Sequence, residues 1–119
     1  MEIGIDVVDL ERIQLAYERY GLRFLQKFMT EREIALCCAK PQPVASIAGR
    51  FAAKEAVVKA LGSGFSGGVH WKSIEVLNDA RGRPVVHTHA FSLYPPGSQL
   101  KVSIAHERKT AVAIAMMEP

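Results

Sequence analysis

One carboxylate stands where a strand is otherwise apolar. Asp6 follows Ile3-Gly4-Ile5 and precedes Val7-Val8, and the composition of this run predicts a β-strand. Burying a carboxylate costs several kcal/mol unless it is paired or holds a metal ion. Asp6 is therefore a candidate metal ligand. The alternative is that it caps a turn or pairs with an arginine.

Glu55 and Lys59 lie one turn apart on the same face of a predicted helix. The simplest interpretation is an exposed ion pair that adds about 0.2–0.5 kcal/mol to the helix. The small residues nearby, Ala48, Ala52 and Gly62, would instead let a ligand approach closely. Two carboxylates from different elements, with no matching His or Cys set, suit Mg²⁺ rather than zinc and leave positions for water and phosphate oxygens.

Two other groups of residues could bind ligands but carry weaker patterns. The glycine-rich stretch 62–68 lacks the Gly-Lys-Ser/Thr of a P-loop and follows a helix instead of opening one. His87 and His89 alternate on a predicted strand, but two ligands do not make a zinc site. His106 lies at a predicted strand end, where it could donate to a phosphate or be a plain turn residue.

The elements that must position these residues pass from helices to strands along the chain. Apolar periodicity and end signals predict helices over residues 10–20, 31–39 and 43–61. Strands are predicted over residues 3–8, 71–77, 84–88, 100–105 and 110–116. This order predicts one α+β domain over residues 1–119, with an N-terminal strand and helices and a long central helix packed on a mainly antiparallel sheet.

Composition and charge exclude several classes of function. The chain has 119 residues, of which 49% are hydrophobic and 23% charged, as is typical of a globular domain. No apolar run approaches the ~20 residues of a membrane span, and the first residues do not resemble a signal peptide, so we expect a cytoplasmic protein. The adjacent Cys37 and Cys38 predict no disulfide framework. A net charge of +3 without a basic run argues against nucleic acid and suits an anionic small molecule or an acidic protein.

Two long motifs and two short matches resemble one family. Residues 4–13, Gly-Ile-Asp-Val-Val-Asp-Leu-Glu-Arg-Ile, are similar to the opening motif of the holo-acyl-carrier-protein synthases, the short bacterial phosphopantetheinyl transferases. Residues 50–56, Arg-Phe-Ala-Ala-Lys-Glu-Ala, with Lys-Ala-Leu-Gly at 59–62, resemble their second motif. Asn78 with Gly82-Arg83-Pro84, and Val-Ser-Ile-Ala-His at 102–106, are further matches. The resemblance covers nearly the whole chain.

The resemblance implies an enzyme that moves the 4′-phosphopantetheine arm of coenzyme A onto a serine of apo acyl carrier protein and releases adenosine 3′,5′-bisphosphate. Asp6 and Glu55 would bind Mg²⁺ beside the pyrophosphate of coenzyme A. Lys59 would stabilise charge on that pyrophosphate in the transition state. Glu55, or a water beside it, would accept the serine proton.

The resemblance also assigns the binding of coenzyme A and of the carrier. Coenzyme A is expected to contact Arg50, Lys54, Lys59, Gly62, Ser63, Gly64, Gly82, Arg83, Pro84 and His106. Arg12 is expected to contact the acidic carrier because of its place in the motif. Arg19 and Arg23 are expected to contact it because of their charge alone. Members of this short class are homotrimers whose active sites lie between subunits. The alternative hypothesis is a non-catalytic module that binds an acidic protein or a nucleotide.

Overall fold

Helices precede most of the strands along the chain, as predicted for an α+β fold. The computed structural model describes residues 1–62, 64, 68–93 and 95–119. Its elements are β1 (Glu2–Asp9), α1 (Leu10–Tyr20), α2 (Leu22–Phe28), α3 (Glu31–Cys38), α4 (Val44–Leu61), a 3₁₀ turn (Trp71–Ser73), β2 (Ile74–Asn78), β3 (Pro84–Thr88), β4 (Gln99–His106) and β5 (Thr110–Glu118). Among the described residues, no helix combines the length and the apolar character needed to cross a bilayer.

The described strands form two antiparallel sheets. In the larger sheet β5 lies between β1 and β4, and the smaller sheet pairs β2 with β3. Alternate residues of β1 and β5, among them Gly4, Val8 and Ala113, are buried against the long helix α4. The predicted antiparallel sheet and central helix are thus confirmed, and one face of the larger sheet carries the core.

Small side chains bring β1 and α4 unusually close together. The buried residues of α4 include five alanines with at most 2% of their surface exposed, Ala48, Ala52, Ala53, Ala56 and Ala60. A β-carbon added to Gly4 would lie 2.0 Å from the carbonyl oxygen of Ala56, so only glycine fits there. The helix ends where Gly62 adopts the left-handed conformation, as its sequence predicts.

The helix α2 was not predicted from the sequence. Gly21 ends α1 as expected, but the chain resumes a helix at Leu22 without a side-chain cap at its start. A seven-residue helix is marginal on its own, and here Leu25 and Phe28 bury it against the core. The capping box of α3 is confirmed, since the Thr30 hydroxyl accepts from the amide of Glu33 and the Glu33 carboxylate accepts from that of Thr30.

Candidate active site

Asp6 lies on the face of β1 that packs against α4. Its neighbours on that face, Gly4 and Val8, are buried, while the Asp6 side chain keeps 17% of its surface exposed. The Lys59 ammonium lies 3.1 Å from Asp6 Oδ1 and donates to the Ile5 carbonyl at 2.9 Å. The carboxylate in the apolar strand is therefore paired, with a lysine of α4 rather than an arginine.

Glu55 lies one turn before Lys59 on α4, and its environment disfavours its charge. Burial raises the pKa of Glu55, the negative charge of Asp6 raises it further, and Lys59 opposes both effects. The two carboxylates are thus close enough to repel each other, and Lys59 offsets part of that repulsion. Asp6, Glu55 and Lys59, taken from two elements distant in sequence, form one acidic site with a single ammonium.

The donor set of this acidic site fits a hard divalent cation. Two converging carboxylates that repel each other are relieved by a cation between them, and oxygen is the ligand that Mg²⁺ prefers. Among the described residues no group of three or more His, Cys, Asp or Glu side chains comes together as a metal site. A cation held by Asp6 and Glu55 would therefore keep positions for water and phosphate oxygens.

A second cluster surrounds the Arg50 guanidinium on the other side of α4. Arg50 is buried and donates to Ser46 Oγ at 3.1 Å and to Asn78 Oδ1. Among the described residues, its Nε is the buried side-chain polar atom that has no hydrogen-bond partner. Arg50 also lines an adjacent cavity, to which its guanidinium brings positive charge.

That cavity gathers four of the residues expected to bind coenzyme A. It has a volume of about 390 Å³. Its walls include Arg50, Gly82, Pro84 and His106, together with Lys40, Gln42 and Ser46. Asn78 Nδ2 donates to the Gly82 carbonyl, and Asp79 accepts from the amides of Arg81 and Arg83, which shapes the predicted hairpin loop. Arg83 itself is exposed on this loop.

The acidic site and the Arg50 cavity lie on opposite sides of α4. Nine residues separate Arg50 from Lys59, which at about 100° per residue turns the helix by about half a revolution. Gly62 and Gly64 follow the acidic site at the end of α4. The expected coenzyme A contact Ser63 lies outside the described residues. One chain therefore does not bring all the expected coenzyme A contacts together.

Lys54 does not fit its expected role in binding coenzyme A. Its side chain has 0% of its surface exposed, and its ammonium lies 2.6 Å from Glu33 Oε1. It also donates to the backbone carbonyls of Phe28 and Trp71. A group enclosed by these partners has no surface left for a ligand. Burial lowers the pKa of Lys54, although Glu33 opposes that shift.

The arginines expected to meet a carrier protein lie on the surface of α1 and α2. Arg12, Arg19 and Arg23 are all exposed. Arg12 also lines a groove of about 1370 Å³ that His106 borders. Large apolar side chains are exposed beside these arginines, with Leu15 at 57% and Leu22 at 53%. The surface thus combines positive charge with apolar contact area.

Sequence reasoning missed the residues that support Arg50. Ser46 and Asn78 hold its guanidinium; the sequence had indicated Asn78 only as a motif match, with no role assigned, and had not indicated Ser46. Ser46 could have been found, because it stands one helical turn before Arg50 on the same face. The contact of Asn78 with Arg50 could not have been predicted, because it depends on the packing of β2 on α4.

Comparison with known proteins identifies the class of this fold and site. Residues 2–115 match the model of the 4′-phosphopantetheinyl transferase superfamily, and the chain belongs to that family. A holo-[acyl-carrier-protein] synthase of Chlorobium phaeovibrioides is 65% identical over 118 residues, which cover 99% of this chain and 94% of the relative. The protein of the same name from Pelodictyon phaeoclathratiforme is 61% identical, with 99% and 98% covered.

Solved structures of the same kind share the fold. The crystal structure of holo-[acyl-carrier-protein] synthase from Neisseria meningitidis has a TM-score of 0.85 and 30% identity, and the match covers 99% of this chain and 98% of that one. The Helicobacter pylori enzyme in complex with coenzyme A also has a TM-score of 0.85, at 32% identity, with 98% and 99% covered. The family predicted from the motifs is confirmed.

Proposed function

We propose that this chain transfers the 4′-phosphopantetheine arm of coenzyme A to a serine of apo acyl carrier protein and releases adenosine 3′,5′-bisphosphate. The observation that carries the proposal is the meeting of Asp6, Glu55 and Lys59 at the contact between β1 and α4. Relatives with 65% and 61% identity bear the name of that enzyme, and one similar structure contains coenzyme A. A non-catalytic module gives no reason for this convergence of charges.

The acidic site supplies the groups that the reaction needs. Asp6 and Glu55 would hold Mg²⁺, which when bound supplies positive charge to the pyrophosphate of coenzyme A. Lys59 has 53% of its side chain exposed, so its ammonium can turn from Asp6 to a phosphate oxygen and stabilise charge as the bond to phosphorus breaks. Glu55, with its raised pKa, is suited to accept the proton of the attacking serine, directly or through a water.

The Arg50 cavity is suited to a phosphate group of coenzyme A. The Arg50 guanidinium, the neighbouring Lys40 and the ring of His106 line this cavity and give it donors and positive charge for an anion. Gly82 and Pro84 form its edge, where a nucleotide can rest against backbone, and the exposed Arg83 lies between them in the sequence. We assign Arg50, Arg83 and His106 to coenzyme A, together with Gly82 and Pro84.

We further propose that the active enzyme is a homotrimer whose neighbouring chains complete each site. The acidic site and the Arg50 cavity of one chain lie on opposite sides of α4. One coenzyme A molecule can contact both when the acidic site comes from one chain and the Arg50 cavity from its neighbour. An apolar strip on the outer face of β1 supports close association, with Ile3, Ile5 and Val7 exposed by 52–64%. Ile5 pairs with Ile114, which is 40% exposed. Light scattering tests the trimer, and Ile5→Glu should yield monomers without transferase activity.

Arg12, Arg19 and Arg23 are the proposed contacts for the acidic carrier protein. Exposed arginines at an interface raise the association rate with an acidic partner, and salt screens this effect. We place the reaction in the cytoplasm, where thiols such as the unbridged Cys37 and Cys38 stay reduced.

The test of the proposed function is transfer of the arm, followed by intact-protein mass spectrometry of the carrier. Wild-type protein, apo carrier, coenzyme A and Mg²⁺ should give the mass of the holo carrier. Glu55→Gln should lose most of this activity. Its unfolding temperature should stay near that of wild type, because the negative charge that it removes is disfavoured by burial and by Asp6. Glu31→Gln, an exposed change on α3, is the matched control and should keep full activity.

Titration of coenzyme A with and without Mg²⁺ separates the enzyme from the non-catalytic alternative. The enzyme should bind coenzyme A more tightly with the ion, and this gain should vanish in Asp6→Asn. An affinity that does not respond to Mg²⁺ in wild type would contradict the assignment of Asp6 and Glu55.

A further inference from the structure

The most deeply buried ion pair of the described chain lies beside the acidic site but not in it. Lys54 and Glu33 both have 0% side-chain exposure, and 2.6 Å separates Lys54 Nζ from Glu33 Oε1. Lys54 immediately precedes Glu55 on α4, and Glu33 belongs to the first turn of α3. The proposed reaction uses neither residue directly.

Lys54 connects α4 to three other segments through its ammonium. Besides Glu33, it donates to the carbonyl of Phe28 at the end of α2 and, at 3.0 Å, to that of Trp71 in the 3₁₀ turn. These three acceptors match the three protons of an ammonium. The group is held from three directions and cannot move without breaking a buried hydrogen bond.

Glu33 is fixed just as firmly at the other end of the pair. Its Oε1 also accepts from the backbone amide of Thr30 at 2.9 Å, and its Oε2 accepts from that of Val76 at 3.0 Å. The carboxylate therefore joins the start of α3 to β2. Through Glu33, the position of Lys54 is tied to two elements that lie outside the acidic site.

The apolar side chains between α4 and the larger sheet supply little directional constraint, so the orientation of the helix depends on its polar contacts, those of Lys54 together with those of Arg50 and Lys59. The contact of α4 with β1 and β5 is made largely of alanines and the glycine of the strand, which allow close approach but present few side chains that interlock. Directed, fully satisfied polar contacts in a core can fix one arrangement among several that pack equally well. Lys54 makes such contacts next to Glu55.

We propose that Lys54 is a positioning residue that, through Glu33 and the Phe28 and Trp71 carbonyls, fixes the rotation of α4 so that Glu55 and Lys59 face Asp6. This inference rests on the proposed transferase function. It replaces the role in coenzyme A binding that the sequence motif suggests for Lys54. Loss of the pair should lower turnover and leave the binding of coenzyme A unchanged.

The test removes both charges together, because either single change leaves a buried charge without its partner. Lys54→Met alone and Glu33→Gln alone should lower the unfolding temperature sharply, and the double variant should recover much of that loss. The folded double variant should show kcat at least tenfold below wild type, with KM for coenzyme A within twofold. Calorimetric titration of coenzyme A without metal should give an unchanged Kd.

Ile13→Val is the matched control for general destabilisation. It shortens a buried side chain of α1 and removes none of the hydrogen bonds of Lys54 or Glu33, so its kcat should equal that of wild type. A double variant with wild-type kcat would overturn the inference, because the pair would then serve stability alone. A raised KM or Kd for coenzyme A would overturn it too, in favour of direct binding.

A second pair of variants decides the question if the double variant does not fold. Thr30→Ala removes the hydroxyl that accepts from the amide of Glu33, while Thr30→Ser keeps it. Thr30→Ala should lower kcat several-fold at constant KM, and Thr30→Ser should restore it. A wild-type kcat in Thr30→Ala would then overturn the inference. An inactive wild-type protein would contradict the proposed function instead. The unfolding temperatures would then still show whether Lys54 and Glu33 stabilise each other, and the metal-free Kd for coenzyme A would still show whether Lys54 binds that ligand.

Discussion

Replacing Gly4 by alanine should force β1 away from α4. The new β-carbon would lie 2.0 Å from the Ala56 carbonyl oxygen and 2.7 Å from the Ala60 amide nitrogen, both of them backbone atoms. Because such contacts essentially never fall below 3.0 Å, the strand must move by at least the difference, 1.0 Å. Overpacking a core costs about 1–3 kcal/mol, and a clash with two rigid elements belongs at the upper end, about 3 kcal/mol.

The displacement should also reach the acidic site. Asp6 stands two residues along the same face of β1, so the shift should carry it away from Lys59 and Glu55. We therefore expect Gly4→Ala to lose transferase activity even at temperatures where it is fully folded. A loss of about 3 kcal/mol is a large part of the 5–15 kcal/mol that stabilises a typical domain.

Urea unfolding of Gly4→Ala and Gly49→Ala checks this reasoning. Gly49 is the matched control, since its added β-carbon would meet only a methyl of Ile104, at 3.0 Å, and a side chain can turn aside. The helix propensity of alanine favours Gly49→Ala by about 1 kcal/mol, so its stability should stay within about 1 kcal/mol of wild type. An unfolding free energy of Gly4→Ala within about 0.5 kcal/mol of wild type would refute the proposed close contact.

Three further substitutions test the backbone and the charges. Ala90 adopts φ +64°, a left-handed conformation that strains a side chain, so Ala90→Gly should raise the unfolding free energy by about 0.5–1 kcal/mol. Ala35→Gly, in the exposed part of α3, should lower it by about 1 kcal/mol in the same urea experiment. Burial alone would raise the pKa of Glu75, but hydrogen bonds with Thr30 and His89, helped by the charge of Arg32, lower it below its usual range. A lowered pKa stabilises the fold above the ordinary glutamate value, about 4.3, and this contribution disappears as the pH falls below it. The stability advantage of wild type over Glu75→Gln should therefore be largest at neutral pH and shrink in acid, as thermal melts from pH 7 to 3 would show; an advantage that grows in acid would contradict it.

Local signals in the sequence were sufficient for most of the fold. The capping box at Thr30 and the glycines after α1 and α4 predicted the bounds of three helices because each acts within one turn. The same logic failed for α2, which has no cap of its own and depends on burial of Leu25. The resemblance predicted the family, and the comparisons confirm it.

The candidate site was harder to predict because its contacts join distant parts of the chain. The unusual place of Asp6 was visible in the sequence, but its partner Lys59 stands 53 residues away and only the packing of β1 on α4 joins them. The burial of Lys54 could not be predicted for the same reason. A lysine within a ligand-binding motif is expected to face the ligand, and its burial depends on Glu33, 21 residues earlier.

The central claim is that the chain transfers the arm of coenzyme A to the carrier and does not merely bind both partners. One reaction, sampled over time, tests it by measuring holo carrier and adenosine 3′,5′-bisphosphate together. We expect the two products to rise in equal amounts, at a rate that depends on Mg²⁺ and falls strongly in Glu55→Gln. Binding of coenzyme A and apo carrier without either product, in the presence of Mg²⁺, would contradict the account.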